Sequence, residues 1–250
     1  MSTLKDFKNR MSRKLGGKAL WSLERFVTKA SKVPNTPILD PEQFEWTKEL
    51  ENNWTTIREE VDSILQYQDI IPNFQDISED QKAITTDDNW KTFFLFGFGM
   101  KMETNCSICP NTTKLIEDIP GMTTAFFSIL SPGKHIPEHR GLYKGFIRYH
   151  LGLKVPEPNE NVTIRVHDQY KHWEEGKSLM FDDTYQHEVW NDTNGTRVVL
   201  FMDILRPLRF PVSTINKAIL HMLEKSDYVQ SALKNQKAWE KKLKQMEAKT

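Results

Sequence analysis

The sequence predicts a mainly β fold, an antiparallel sandwich or barrel, with helices on either side of it. Three observations predict this. Residues 90–205 are a succession of short runs rich in Phe, Val, Ile and Tyr, broken by turn signals such as Pro132-Gly133 and Asn194-Gly195. No helical periodicity intervenes between those runs, which speaks against alternating β/α units. The segments before and after them show apolar residues every three or four positions, the mark of helices packed by one face.

Taken in order, residues 4–30 place apolar side chains at three- to five-residue steps among Lys and Arg, with a break at Gly16-Gly17, so two short amphipathic helices are expected. Residues 1–34 hold nine Lys/Arg against Asp6 and Glu24, a local charge of +7. Such a segment reads either as an extension docked on the domain or as a contact with an anionic membrane face. Residues 33–39, with Pro34 and Pro37, read as an extended linker that closes an N-terminal stretch of residues 1–39. Asp40-Pro41-Glu42 then supplies an N-cap, a proline at the first helical position and an early acid. Phe44, Leu50, Trp54, Ile57, Val61, Ile64 and Leu65 follow at helical spacing, so one helix of about 25 residues is expected. Strands are predicted at 92–98, 124–130, 145–154, 162–166, 179–181, 185–190 and 197–204. With its N-terminal support helix this β-rich domain spans residues 40–210; residues 211–250 form a C-terminal helical segment carrying Ile215, Ile219, Met222 and Leu223, with a Lys-rich end.

Across all 250 residues, Lys+Arg and Asp+Glu both number 34, a balance that argues against a broad nucleic-acid surface. No apolar run approaches the roughly 18 residues that cross a bilayer. The basic N-terminus lacks the apolar stretch of a secretory signal. Cys106 and Cys109 are too few for a disulfide scaffold and read as a structural or incidental thiol pair; a lone CxxC lacks the second pair that a zinc site needs. The expected setting is a reducing cytoplasm, with peripheral contact at the inner membrane face as one role for residues 1–34.

The chemistry-bearing residues lie in the β region. His135 and His139 follow the Pro132-Gly133 turn, His187 stands in Asp182-Asp183-Thr184-Tyr185-Gln186-His187, and His150 falls inside an apolar strand. Arg148 and Arg197 occupy strands that otherwise read as buried. A buried guanidinium stays charged and demands an anion; with few acids on those strands, the anion can be a ligand. Imidazoles for a divalent metal beside arginines for a dicarboxylate are what a non-haem iron oxygenase using 2-oxoglutarate requires. Lys134, Arg140 and Lys144 read equally as a contact for an anionic substrate or as a solvated rim.

Several segments carry a resemblance. They are Asn89-Trp90, Phe127-Ser128-Ile129, Pro132-Gly133-x-His135-x-x-x-His139-x-Gly141, Arg148-x-His150-Leu151-Gly152-Leu153, Trp173-Glu174-Glu175-Gly176-Lys177, Phe181-Asp182-Asp183, and His187-Glu188-Val189-Trp190 with Arg197 ten residues on. In order and spacing, over residues 88–207, they resemble the aspartyl/asparaginyl β-hydroxylase family, Fe(II)- and 2-oxoglutarate-dependent dioxygenases on a double-stranded β-helix of jelly-roll or cupin-like form. The resemblance implies that His139 and His187 are the catalytic iron ligands and that His135 is not one. Gly141 stands where the usual triad has an acid, and this absence is itself like the family. Arg197 with Ser128 would clamp the distal carboxylate of 2-oxoglutarate, Arg148 and His150 would hold its keto-acid end, and Trp90 would wall the pocket. Asp182 and Asp183 would orient an imidazole, or one of them would replace the missing carboxylate.

Members of the family hydroxylate Asp or Asn side chains in peptides, free or carrier-bound amino acids, or acyl chains of bacterial lipids such as lipid A and ornithine lipids. The +7 N-terminus would place the enzyme on an anionic cytoplasmic leaflet, and the Val33-Pro34-Asn35-Thr36-Pro37 segment resembles the lipid-hydroxylase branch. A peptide or amino-acid substrate stays open, as does a non-catalytic β-barrel binding module. A hydrolytic metalloenzyme would want a third protein ligand and a general base.

Overall fold

The computed structural model describes residues 23–141 and 143–247. Its strands are β1 (Ile38–Leu39), β2 (Trp90–Gly97), β3 (Met100–Lys101), β4 (Met122–Leu130), β5 (His135–His139), β6 (Phe146–Lys154), β7 (Val162–Val166), β8 (Gln169–His172), β9 (Ser178–Phe181), β10 (His187–Asn191) and β11 (Arg197–Leu205). They form a major sheet in the order β1-β9-β6-β11-β4-β2-β3 and a minor sheet in the order β5-β10-β7-β8, with every pairing between these strands antiparallel. From β4 to β11 the chain passes back and forth between the sheets, so β9-β6-β11-β4 faces β5-β10-β7-β8. This is the double-stranded β-helix, widened by β1 on one edge and by β2 and β3 on the other.

Successive residues of a strand point to opposite faces, and the major sheet is covered on both. One face presents Phe93, Leu95, Phe127, Ile129, Tyr149 and Leu200 to helices α2 (Trp46–Asn52), α3 (Trp54–Leu65), α5 (Glu103–Ile108) and α6 (Pro110–Ile116). The other face presents Trp90, Phe126, Phe201 and Phe181 to the minor-sheet residues Ile136, Val162, Ile164 and Val189. Strands buried on both faces read as continuous apolar runs, which is why β4, β6 and β11 were visible in the sequence. The exposed β8 and the short β5, whose outward residues are polar, are not among the expected strands; both are strands because pairing with β7 and β10 satisfies their backbone.

The expected 25-residue helix is interrupted. Asp40 does cap, accepting the Glu42 amide at 3.0 Å, but it opens a 3-10 turn at Pro41–Gln43. At Asn53 the backbone leaves the helical region (φ −108°, ψ 12°), its amide side chain donates to the Glu49 carbonyl, and α3 starts afresh. The break lets Leu50 on one segment and Ile57, Val61 and Ile64 on the next meet the same sheet face. Of the linker, Ile38 and Leu39 pair with β9 as an edge strand.

Most of the amphipathic extension lies outside the described residues. Residues 23–30 form helix α1, whose Val27 is fully buried against Tyr143, Leu208 and Val212. That part of the extension docks on the domain. α4 (Phe74–Ile77) is a single turn, and α7 (Val212–Glu224) and α8 (Asp227–Glu247) make the C-terminal segment. Among the described residues, no helix is long and apolar enough to cross a membrane. Cys106 and Cys109 are buried free thiols, and Cys106 Sγ donates to the Leu95 carbonyl.

Candidate active site

His139 ends β5 and His187 begins β10, and the antiparallel register sets them directly opposite each other. Their ring centroids lie 4.1 Å apart at an interplanar angle of 52°. In each ring Nδ1 is engaged by a backbone carbonyl two residues earlier, Pro137 O at 2.8 Å for His139 and Tyr185 O at 3.0 Å for His187. Each Nδ1 therefore carries the proton, and each Nε2 presents a lone pair. Burial is the main force keeping both rings neutral: it brings His139 down to about 4 and His187 well below its ordinary value, with Arg148 pushing the same way. Two neutral imidazoles with fixed tautomers, side by side, are a donor pair suited to a divalent metal. Among the described residues, no group of three or more His, Cys, Asp or Glu converges as a metal cage. The two imidazoles stand as a pair, with no third such side chain beside them among the described residues.

The major sheet supplies the second half of the site. Trp90 and Thr92 on β2, Ser128 on β4, Arg148 and His150 on β6, and Arg197 on β11 all occupy the face directed into the barrel, because register and alternation agree: Thr92 and Val199 each oppose Ser128, and Phe201 opposes His150. Arg197 is 1% exposed, lies 4.5 Å over the Trp173 ring, and makes only long contacts with Ser128, 3.4 Å to Oγ and 3.5 Å to the carbonyl. Its Nε has no hydrogen-bond partner, and no described carboxylate pairs with it. Burial lowers Arg197 to about 9, which still leaves it cationic at neutral pH.

His150 stacks on Trp173 at 5.8 Å and both its ring nitrogens lack partners; Trp173 Nε1 and Thr92 Oγ1 are likewise buried and unsatisfied. Trp90 Nε1 donates to Ser128 Oγ at 3.1 Å, so the Ser128 hydroxyl, already accepting, is free to donate inward. Buried polar atoms left without partners cost about 1–3 kcal/mol each. A cluster of them around a guanidinium without a carboxylate partner is chemically suited to receive a polar, anionic group.

The two arginines differ. Arg148 opposes Asp203 across the β6–β11 ladder, with Nε 3.0 Å from its carboxylate, and reaches Asp183 at 3.0 Å. The expectation that its strands hold too few acids is corrected by Asp203 on β11. The roles read for Asp182 and Asp183 are corrected too. Asp182 is fully buried between Lys144 and Arg206, Asp183 faces Arg148, and the histidines are oriented by backbone carbonyls instead. Lys144 is thereby structural, as is Lys134, 4% exposed and bonded to Asp87 and Thr85. Neither forms a solvated rim. Arg140 pairs with Glu24 on α1. His135 is half exposed, bonded to Glu188 and stacked on Trp190, away from the imidazole pair.

Gly141, two residues past His139, is also explained. A Cβ there would collide with the Asp183 carboxyl group, while the Gly141 amide donates to the Asp183 carbonyl at 2.7 Å. Trp173 and Thr92 were given no individual role from sequence. The alternation that placed Trp90 and Ser128 inside would have found Thr92, whereas Trp173 lies in an irregular segment that no periodicity covers.

Residues 51–207 match the family model described as Aspartyl/Asparaginyl beta-hydroxylase. The ornithine lipid ester-linked acyl 2-hydroxylase of Rhizobium tropici is 50% identical over 219 residues, which are 88% of this chain and 78% of that protein. The human aspartyl/asparaginyl beta-hydroxylase is 34% identical over 170 residues, 65% of this chain but only 21% of that much longer protein. Among solved structures, the viral collagen prolyl hydroxylase of Paramecium Bursaria Chlorella virus-1 in its 2OG complex gives a TM-score of 0.33 at 12% identity, over 48% of this chain and 80% of that one, too distant to bear on the site.

Proposed function

Since the chain belongs to the aspartyl/asparaginyl β-hydroxylase family, and is thus a hydroxylase of the 2-oxoglutarate-dependent dioxygenase class, we propose that it hydroxylates the acyl chain of a membrane lipid of the ornithine-lipid or lipid A kind, using iron held by His139 and His187. The observation that carries the cosubstrate is Arg197, a buried cation with no anion of the protein's own. The one that carries the substrate is the 50% identity to an acyl-chain hydroxylase along 88% of this chain.

The donor set fits the group. Nε2 of His139 and of His187 would hold Fe(II) weakly enough to leave sites for 2-oxoglutarate and dioxygen. Bound together, these supply the oxidising power to convert a C–H bond to C–OH, with succinate and CO2 as co-products. The protein's share is positional. Arg197 receives the distal carboxylate in a charge-assisted contact, and the Ser128 hydroxyl, turned inward by Trp90, donates to it. His150, held neutral by burial and by Arg197 and Arg148, can donate from one ring nitrogen toward the keto-acid end. Arg148, its charge balanced by Asp203 and Asp183, forms the wall at that end. Trp173, Phe181 and Phe201 close the walls around His150 and exclude water.

The test has two arms. Anaerobic titration with Fe(II) and 2-oxoglutarate is expected to give the weak visible charge-transfer band of a chelated keto-acid, lost in the His139→Ala/His187→Ala variant. Aerobic incubation with an ornithine lipid is expected to add one oxygen to an acyl chain, read by mass spectrometry. If a peptide bearing Asp or Asn gains the oxygen and the lipid does not, the substrate reading is wrong and the peptide hydroxylase takes its place.

A further inference from the structure

One side of the molecule, unused by the catalytic machinery, exposes large apolar side chains: Phe210 (83% exposed), Met222 (68%), Phe26 (53%) and Ile215 (43%). They belong to a single lobe. The Ser31–Leu208 bridge, with Arg209 N donating to Ala30 O, binds the end of α1 to the stretch carrying Phe210, and α7 follows directly. α7 buries Val212 and Asn216 and turns Ile215 and Met222, one heptad apart, outward along one line; Lys225, three residues past Met222, is exposed at the end of that line. Lys29 and Lys32 are exposed near the end of α1. Of the nearby acids, Glu24 pairs with Arg140 and Glu224 with His221, and Asp227 is exposed against the four exposed cations Arg25, Lys29, Lys32 and Lys225. The face is therefore apolar with a cationic border.

We infer that this face, built from α1, Phe210 and α7, is a docking surface for an anionic lipid bilayer. Apolar side chains that seat at the headgroup boundary, with lysines that meet lipid charge, are what an interfacial protein presents. A protein partner would leave unexplained why the same cationic character continues along the chain: residues 1–22, which lead into α1, hold six Lys/Arg against one Asp. The lobe is also rigidly tied to the site. Tyr143 OH donates to Asn216 at 2.7 Å, Asn216 donates to Gly145 O, and Arg140, next to His139, holds Glu24 of α1. A bilayer held here would thus be held in fixed relation to the segment that leaves the His pair, which suits a substrate drawn from the membrane. That purpose rests on the acyl-chain reading; the surface itself does not.

The experiment is flotation of the full chain with vesicles of phosphatidylethanolamine and phosphatidylglycerol, against vesicles of phosphatidylcholine alone. Wild type is expected to float with the anionic vesicles. Phe210→Ser/Met222→Ser should bind about tenfold more weakly, and Lys29→Glu/Lys225→Glu also about tenfold, with most of its salt dependence gone. All four positions are exposed, so melting temperature and the keto-acid charge-transfer band should not change. The inference is overturned if both pairs bind as wild type while Lys8→Glu/Arg13→Glu abolishes flotation, since the N-terminal segment would then suffice. It is equally overturned if the apolar pair alters only self-association on size exclusion, because the face would then join copies of the chain. Flotation without any acyl hydroxylation would refute the substrate reading and leave the surface standing.

Discussion

Arg148 and Arg197 sit on the same face of the same sheet, on neighbouring strands, and look alike in the sequence. Arg148 has two aspartates, Asp183 and Asp203, each at 3.0 Å. Arg197 has an aromatic face, a serine at the limit of hydrogen bonding, and an Nε with nothing. The difference teaches that a buried arginine is not in itself a sign of a ligand; the sign is the absence of its counter-charge. The Arg148 end of the pocket has its counter-charges from the protein, and the Arg197 end has none among the described residues.

The largest expected effect is therefore at Arg197. Substituting it with Met removes the cation that a distal carboxylate would meet, and 2-oxoglutarate affinity is expected to fall about a hundredfold or more. Because the same change removes an uncompensated buried charge, the protein without cosubstrate should melt no lower than wild type. A fall in both affinity and melting temperature would mean that Arg197 has a structural partner and would erase the contrast.

Arg148→Met should do the reverse. It strands two carboxylates of low exposure, and a stability loss of about 2 kcal/mol is expected in denaturant titration, with a smaller, roughly tenfold, effect on 2-oxoglutarate. The cost should depend on pH. Burial raises Asp183 to about 6 against the pull of Arg148, so removing the arginine lifts it further. A carboxyl raised in the fold above its unfolded value of 3.8 weakens the fold as pH climbs toward that raised value. The penalty of Arg148→Met should accordingly be smaller at pH 5, where Asp183 takes up a proton, and larger at pH 8. Arg197→Met, with no acid beside it, should show no such trend.

Much of this was legible in the sequence, for physical reasons. The major-sheet strands are buried on both faces, so β4, β6 and β11 announce themselves as apolar runs, and an Arg, a His or a Ser among them stands out. Pattern could not reveal what pairs with what. Asp203 and Arg148 are 55 residues apart and meet only through strand register. Lys134 and Lys144 look like surface residues because nothing local shows that Asp87 and Asp182 fold over them. The break at Asn53 was hidden because apolar spacing runs unbroken across it, and β5 was hidden because its outward residues are polar.

The smallest effect, and the finest test of the contrast, lies at Gly141. Its missing side chain leaves the room that the Asp183 carboxyl group occupies, and Asp183 cannot yield freely, being buried and held by Arg148. Gly141→Ala must therefore push either the carboxylate off the guanidinium or the backbone after His139 off its path. A stability loss of about 1–2 kcal/mol is expected, together with iron binding weaker by about tenfold, since an imidazole held through its own backbone moves with it. In the double variant Gly141→Ala/Asp183→Ala, where the collision is absent, iron affinity should return toward wild type while the arginine loses one of its two anions. If iron affinity stays low in that double variant, the glycine serves the His139 backbone directly, and the Arg148 end of the pocket is held by Asp203 alone.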